Sequence, residues 1–334
     1  MLARFPTVLF VVAAACSTPG PGGSVAPVDA ADAADAADAE AQTQLAGDDA
    51  SCDSRVTCDG GGVVLGAMRL FELSGTAPSA TGPSAIKVLA AAAVFHAATP
   101  DDYDDRQADI GCTADHYDAT ARPAPADADA GWLRMSGFTG GALLAGGQAA
   151  QPIVCTRTAG YYRCAYPTGT IASDGFFSAT ASPLGPGPIT FALNGAADFG
   201  ARAISGSPIG TATTAEDLTA VHYSASADAV FHVSCADSCT PGRIAVDLVA
   251  RQASTASVGW PYPSVGIVRC VFAPATSIAI PHGAIAAMFA EDATLDSVVT
   301  SVALLPMEPL ATSDAMGNRL IAEVGRGTFG VAPR

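Results

Sequence analysis

The chain has 334 residues, 32 acidic side chains against 16 basic ones, and a formal net charge of −16. Only 14% of its residues are charged while 49% are hydrophobic, and Lys87 is the single lysine. This balance argues against binding to nucleic acid or to an anionic membrane surface, both of which need a positive field. The length allows one large domain or two of ordinary size.

Residues 1–15 (MLARFPTVLFVVAAA) read as a signal peptide. Arg4 is its one basic side chain, and the apolar run at 8–15 is far shorter than the ~20 residues a membrane-spanning helix needs. Ala13, Ala14 and Ala15 set three small residues immediately before Cys16. The arrangement resembles the lipobox of bacterial lipoproteins, with Ala13 where Leu is usual. The resemblance implies that Cys16 is the lipidated first residue of the mature chain. Several acyl chains, each adding ~0.8 kcal/mol per buried CH₂, then give a stable membrane anchor. Ser17, where Asp would imply inner-membrane retention, points to the outer membrane.

Residues 16–50 form the next segment. STPGPGGSVAP is followed by DAADAADAADAEA, with Asp29, Asp32, Asp35 and Asp38 at a period of three. Such a stretch has little apolar surface to bury, and its like charges repel, so it reads as a flexible tether. The acidic run lacks the loop geometry and terminal Glu of a calcium loop.

Eight cysteines remain after Cys16: Cys52, Cys58, Cys112, Cys155, Cys164, Cys235, Cys239 and Cys270. An even number in an oxidising compartment predicts disulfides. Spacing favours Cys155–Cys164 across a hairpin that turns near 158–160; the other pairings stay open.

The body of the chain is dominated by strand-like patterns. Residues 85–98 (AIKVLAAAAVFHAA) fit either a short Ala-rich helix or a strand of small residues. Residues 189–194 alternate. In 229–235 (AVFHVSC), Phe231, Val233 and Cys235 face one way, and His232 and Ser234 the other. In 243–251 (RIAVDLVAR), Ile244, Val246, Leu248 and Ala250 share one face, with Arg243, Asp247 and Arg251 opposite, the pattern of a half-buried strand. Residues 282–290 could make a helical turn, 298–305 a β-branched strand, and 319–331 a last strand after a Gly317-Asn318 turn. Residues 132–141 and 202–210 echo one another weakly. The expected fold is all-β, with two antiparallel, Ig-like β-sandwich-type domains at 51–200 and 201–334, divided at the Gly/Ala-rich LNGAADFGARAISG.

Candidate chemistry is sparse. His232, Cys235, Cys239 and Cys270 could supply a tetrahedral zinc set, but their spacing is not a recognised knuckle and disulfides are the commoner use. Ser84-Ala-Ile-Lys87 matches S-x-x-K without the companion elements that motif requires. His96, His116, His222, His232 and His282 form no close metal pair. Asp101, Asp102, Asp104 and Asp105 are weak candidates for calcium, in a loop after Pro100 that could support calcium-stabilised adhesion. Asp127-Ala-Asp129-Ala-Gly131 begins like a calcium loop and lacks its later ligands. Trp132, Trp260 and Tyr262 could form a carbohydrate platform, though core packing is the ordinary use of such residues.

The lipobox, the acidic spacer, DAGWLRMSG, ITFALNG, DLTAVHYSAS and VRCVFAPATSIAIPHGAIAAM together resemble uncharacterised outer-membrane lipoproteins of myxobacterial type. The resemblance implies two sandwich-type halves behind an anchor, and transfers no catalytic residue. The expected protein is a lipid-anchored module of the cell envelope at the outer membrane. It would be non-enzymatic and without cofactor, held to the membrane by Cys16, and would bind an unknown protein or glycan. The alternative is a secreted hydrolase or carbohydrate-active enzyme whose site is assembled only in space.

Overall fold

A computed structural model describes residues 64–77, 84–95, 110–118, 127–137, 152–158, 160–165, 176–179, 184–185, 187–196, 199–236, 239–251, 264–290, 292–308, 310–313 and 319–334. Cys16, Cys52, Cys58, the tether, Asp101, Asp102, Asp104, Asp105, Trp260, Tyr262 and the Gly317-Asn318 turn lie outside the described residues. The described chain is mostly strand. The first elements are β1 (Val64–Ala77), β2 (Ser84–Phe95), β3 (Gly111–Asp118), β4 (Leu133–Ser136), β5 (Ile153–Thr158) and β6 (Tyr161–Ala165). Then come β7 (Phe176–Ala179), β8 (Ile189–Leu193), β9 (Arg202–Gly206), β10 (Ala212–Thr214), β11 (Ala229–Cys235) and β12 (Gly242–Arg251). The last are β13 (Ser264–Phe272), β14 (Ser277–Ile280), helix α1 (His282–Phe289), β15 (Ser297–Pro306), β16 (Leu310–Ser313) and β17 (Arg319–Pro333). No helix among the described residues is long and apolar enough to cross a membrane.

Three sheets result. The largest runs β3-β13-β12-β15-β17-β1-β2-β7, with β16 added on β17. Its pairs are antiparallel except β1 with β17, which run parallel. A five-stranded sheet is ordered β6-β5-β4-β8-β9, and a three-stranded one β10-β11-β14. The large sheet takes strands from both sides of residue 200. The Gly/Ala-rich stretch there is the β8–β9 connection, closed by Ala196 and Phe199 exchanging backbone hydrogen bonds. Its composition reflects a turn, with Gly195 at φ 81°, inside one sheet.

Register explains how the layers meet. One face of the large sheet carries Met68, Leu70, Leu89, Phe95, Leu320 and Val324 at one end. These pack on Leu133, Met135, Ile153, Ile189 and Phe191 of the five-stranded sheet. The same face carries Ile244, Val246, Leu248, Val268, Val298 and Val302 at the other end, under Phe231, Val233, Ile278 and Ile280 of the three-stranded sheet and Ile285, Met288 and Phe289 of α1. Glu72 accepts a hydrogen bond from the Leu184 amide, and Arg326 donates to the carbonyls of Leu184 and Gly185, which ties these two residues to β1 and β17.

The opposite face of the large sheet is concave. Neighbouring strands lie about 4.8 Å apart, so β13 and β17, three steps apart, would be about 14 Å apart in a flat sheet. Yet Arg269 of β13 reaches Glu323 of β17 at 2.5 Å, and its guanidinium sits 5.9 Å from the Phe71 ring centroid on β1. The sheet is therefore rolled, and this face lines its interior as in a barrel. Phe71, Leu73, Val88, Tyr117, Val249, Val265, Val299, Leu305 and Phe329 fill it. All ten residues of β12 are buried. This corrects the half-buried reading of 243–251, whose charged face points into the roll.

The ambiguous Ala-rich stretch is strand β2, paired on its two edges with β1 and β7. Helix α1 follows Pro281 and stops at Ala290, which adopts left-handed φ 38°. The exposed amide of His282 at its start is capped from a distance by Asp228, at 2.7 Å. β11 alternates as the sequence suggests, with Phe231 and Val233 buried and His232 and Ser234 exposed.

Candidate functional site

Inside the rolled sheet lies a compact charged cluster. Arg69 Nε donates to Glu323 Oε2 at 2.9 Å, and Arg243 approaches the same carboxylate at 3.7 Å. Arg269 forks between Asp247 (2.8 and 2.9 Å) and Glu323 (2.5 Å). All five side chains are buried. Burial alone would raise the Glu323 pKa, but Arg269, Arg69 and Arg243 outweigh it and hold the carboxyl below its usual range. Burial pulls the Arg269 pKa down, and Asp247 and Glu323 more than reverse that, so it stays charged. Alongside, Tyr117 donates to Asp115 Oδ2 at 2.9 Å. The charges are paired, as buried charges must be, but Arg243 Nη2 and Glu323 Oε1, at 3.7 Å, stand beyond hydrogen-bond distance of each other.

The cysteines form cross-links. Cys112–Cys270 joins β3 to β13 and Cys155–Cys164 joins β5 to β6, each at directly paired positions; Cys235–Cys239 closes the turn after β11. The zinc candidates are thereby separated: Cys270 is bonded to Cys112, and His232 Nδ1 meets Glu216 Oε1 at 2.7 Å. Among the described residues no group of three or more His, Cys, Asp or Glu is placed to hold a metal. Positions 84 and 87 both lie on strand β2.

Two histidine–carboxylate pairs sit on the exposed side of the three-stranded sheet. Glu216 accepts both the amide and the ring Nδ1 of His232, and Asp228 does the same for His282. Burial is the largest single influence on the Glu216 carboxyl and raises its pKa, but the His232 hydrogen bonds and charge together with its own backbone outweigh it and lower it. His116, on β3, bonds the Met288 carbonyl at 3.1 Å and ties the end of α1 to the large sheet.

The most organised exposed structure is the segment 127–132 leading into β4. Asp127 is buried, and its carboxylate accepts the amides of Tyr162 (2.8 Å) and Phe95 (3.3 Å). Its own amide bonds the Gly160 carbonyl, while Arg157 Nε donates to its carbonyl at 2.8 Å. Burial raises the Asp127 pKa to about 6, against the lowering effect of these amides and of Arg157. The Tyr162 hydroxyl accepts from the Ala130 amide and donates to the Gly131 carbonyl, and burial pushes its pKa up to about 12. Phe95 packs edge-on against Tyr162, 4.7 Å between centroids. Gly131 has φ 79°, and a Cβ there would collide with Asn194 Oδ1, which accepts the Trp132 amide at 2.6 Å. The clasp ends by presenting Trp132, 41% exposed, on the central strand of the five-stranded sheet.

Of the proposed platform, Trp132 is thus on the surface. The Asp127–Gly131 motif organises a backbone clasp. Tyr162, Asn194 and Arg134, absent from the sequence reading, complete its surroundings; Asn194-Gly195 is a turn signal that could have marked one of them. No family model, curated protein or solved structure matches the chain.

Proposed function

We propose that the chain is a lipid-anchored protein of the cell envelope at the outer membrane, fixed through Cys16 and serving as a non-enzymatic binding module. The observation that carries this reading is the set of three disulfides, two of them tying neighbouring strands together. Such bonds persist in oxidising compartments, which an exported chain reaches and a cytosolic one does not. The signal-like residues 1–15 and the small residues before Cys16 supply the route and the attachment point. The folded body stands off the membrane on the acidic tether and presents the Trp132 clasp on a rigid scaffold.

The test is fractionation of a bacterial host expressing the full chain or its Cys16→Ala variant. Wild type is expected in the membrane fraction and the variant in the soluble periplasm. A variant that remained fully membrane-bound would overturn the anchor.

A further inference from the structure

We infer that the outward face of the five-stranded sheet binds a pyranose glycan bearing a carboxylate, with a sugar ring stacked on Trp132 and the acid group held by Arg134. This deepens the binding reading above and is independent of the lipid anchor. Leu133 and Met135 point into the core, so Trp132, Arg134 and Ser136 point outward together. The strand carrying them has β5 on one side and β8 on the other, which centres the indole on the sheet.

The residues around it match what a sugar presents. Continuing the β4–β5 and β4–β8 registers by one position sets Thr156 and Asn194 on either side of Trp132. Both are exposed. The Asn194 side-chain oxygen is occupied by the Trp132 amide, so its NH₂ group is left to donate. A pyranose has an apolar C–H face suited to an indole and a rim of hydroxyls suited to an amide and a threonine. Arg134 lies two residues along the same face, exposed, with Val154 and Ala192 as its cross-strand partners. No carboxylate stands at either paired position to neutralise it, and its planar fork suits a carboxylate.

The pose is pre-built. Gly131, Asn194, Tyr162 and Asp127 fix the backbone on which Trp132 sits, so little ordering entropy opposes binding. An indole that only plugged a gap in the core would be buried, as Phe95 and Phe191 are.

The test uses the purified full chain on an array of matched acidic and neutral oligosaccharides that includes hexamannuronate and mannohexaose, which differ only at C6. Calorimetry on the best acidic binder follows. Binding is expected for acidic chains, weakened roughly tenfold or more by Trp132→Ala and much less by Trp132→Phe. Arg134→Ala should remove the preference for acidic over neutral chains. Failure of every oligosaccharide to bind, equal binding of acidic and neutral partners, or full affinity in Trp132→Ala would each overturn the inference. Cys16→Ala must bind as wild type does, so loss of the anchor and loss of the glycan site are read separately.

Discussion

Glu323 offers the sharpest perturbation of the fold. Its carboxylate meets Arg269 at 2.5 Å, Arg69 at 2.9 Å and Arg243 at 3.7 Å, inside the rolled sheet. With Asp247 it balances three guanidinium groups by two carboxylates. Glu323→Gln keeps the volume and removes the charge, leaving three cations against one anion. Breaking one partner out of a buried ion pair costs about 3–5 kcal/mol, because the remaining charge is buried without compensation. The double change Glu323→Leu with Arg69→Met restores the original excess of one positive charge. Exchanging a buried pair for apolar groups of similar volume is often neutral, so the double variant should be more stable than Glu323→Gln. Urea unfolding under non-reducing conditions, followed by circular dichroism, measures both. A Glu323→Gln variant within 1 kcal/mol of wild type, or a double variant less stable than the single, would refute the idea that the cluster is held by buried charge pairing.

Asp127 should give stability an inverted pH dependence. Its folded pKa of about 6 lies above the ~3.9 of a free Asp, so its stabilising contribution is complete below pH ~4 and is lost as pH rises through 6. That is about 3 kcal/mol over two pH units, seen as a wild-type slope that Asp127→Asn lacks in urea titrations at pH 4 to 7; parallel slopes would contradict it. The disulfides should rank by loop length. Replacing Cys112 and Cys270 (separation 158) should cost about 5 kcal/mol and replacing Cys155 and Cys164 (separation 9) about 2.5, compared by urea unfolding. The reverse order would show that strain, not chain entropy, decides. Two glycines near α1 should respond oppositely. A Cβ on Gly266 would run into the Met288 backbone, so Gly266→Ala should lower Tm. Gly283 has open space, and Gly283→Ala should raise stability by up to ~1 kcal/mol.

The all-β character was readable because period-two patterns are local. The β11 and β8 segments show it in a few residues each, 298–305 shows its strand through β-branched residues, and 282–290 shows its helix. The same local signal misled at 243–251: alternation marks two faces but not what covers each. Arg243 and Asp247 read as solvent-facing because their partners, Glu323 on β17 and Arg269 on β13, lie outside the local sequence. The parallel β1–β17 pair is invisible for the same reason, joining the first and last described strands. The Gly/Ala run near 200 has the composition of a linker and the role of a hairpin connection, which composition alone does not distinguish. At the candidate site, DADAG-W was legible as a motif, but its chemistry was not. Asp127 caps amides from β2 and β6, residues 32 and 35 positions away. The exposure of Trp132 depends on which side of β4 meets the core.

The central functional claim is the anchor, and intact mass spectrometry of the mature protein from a bacterial membrane tests it most directly. The mature chain is expected to begin at Cys16 and to carry the mass of a diacylglyceryl group and an amide-linked acyl chain, with the lipid absent from Cys16→Ala. A mature chain that began at another residue, or that carried no lipid on Cys16, would contradict it.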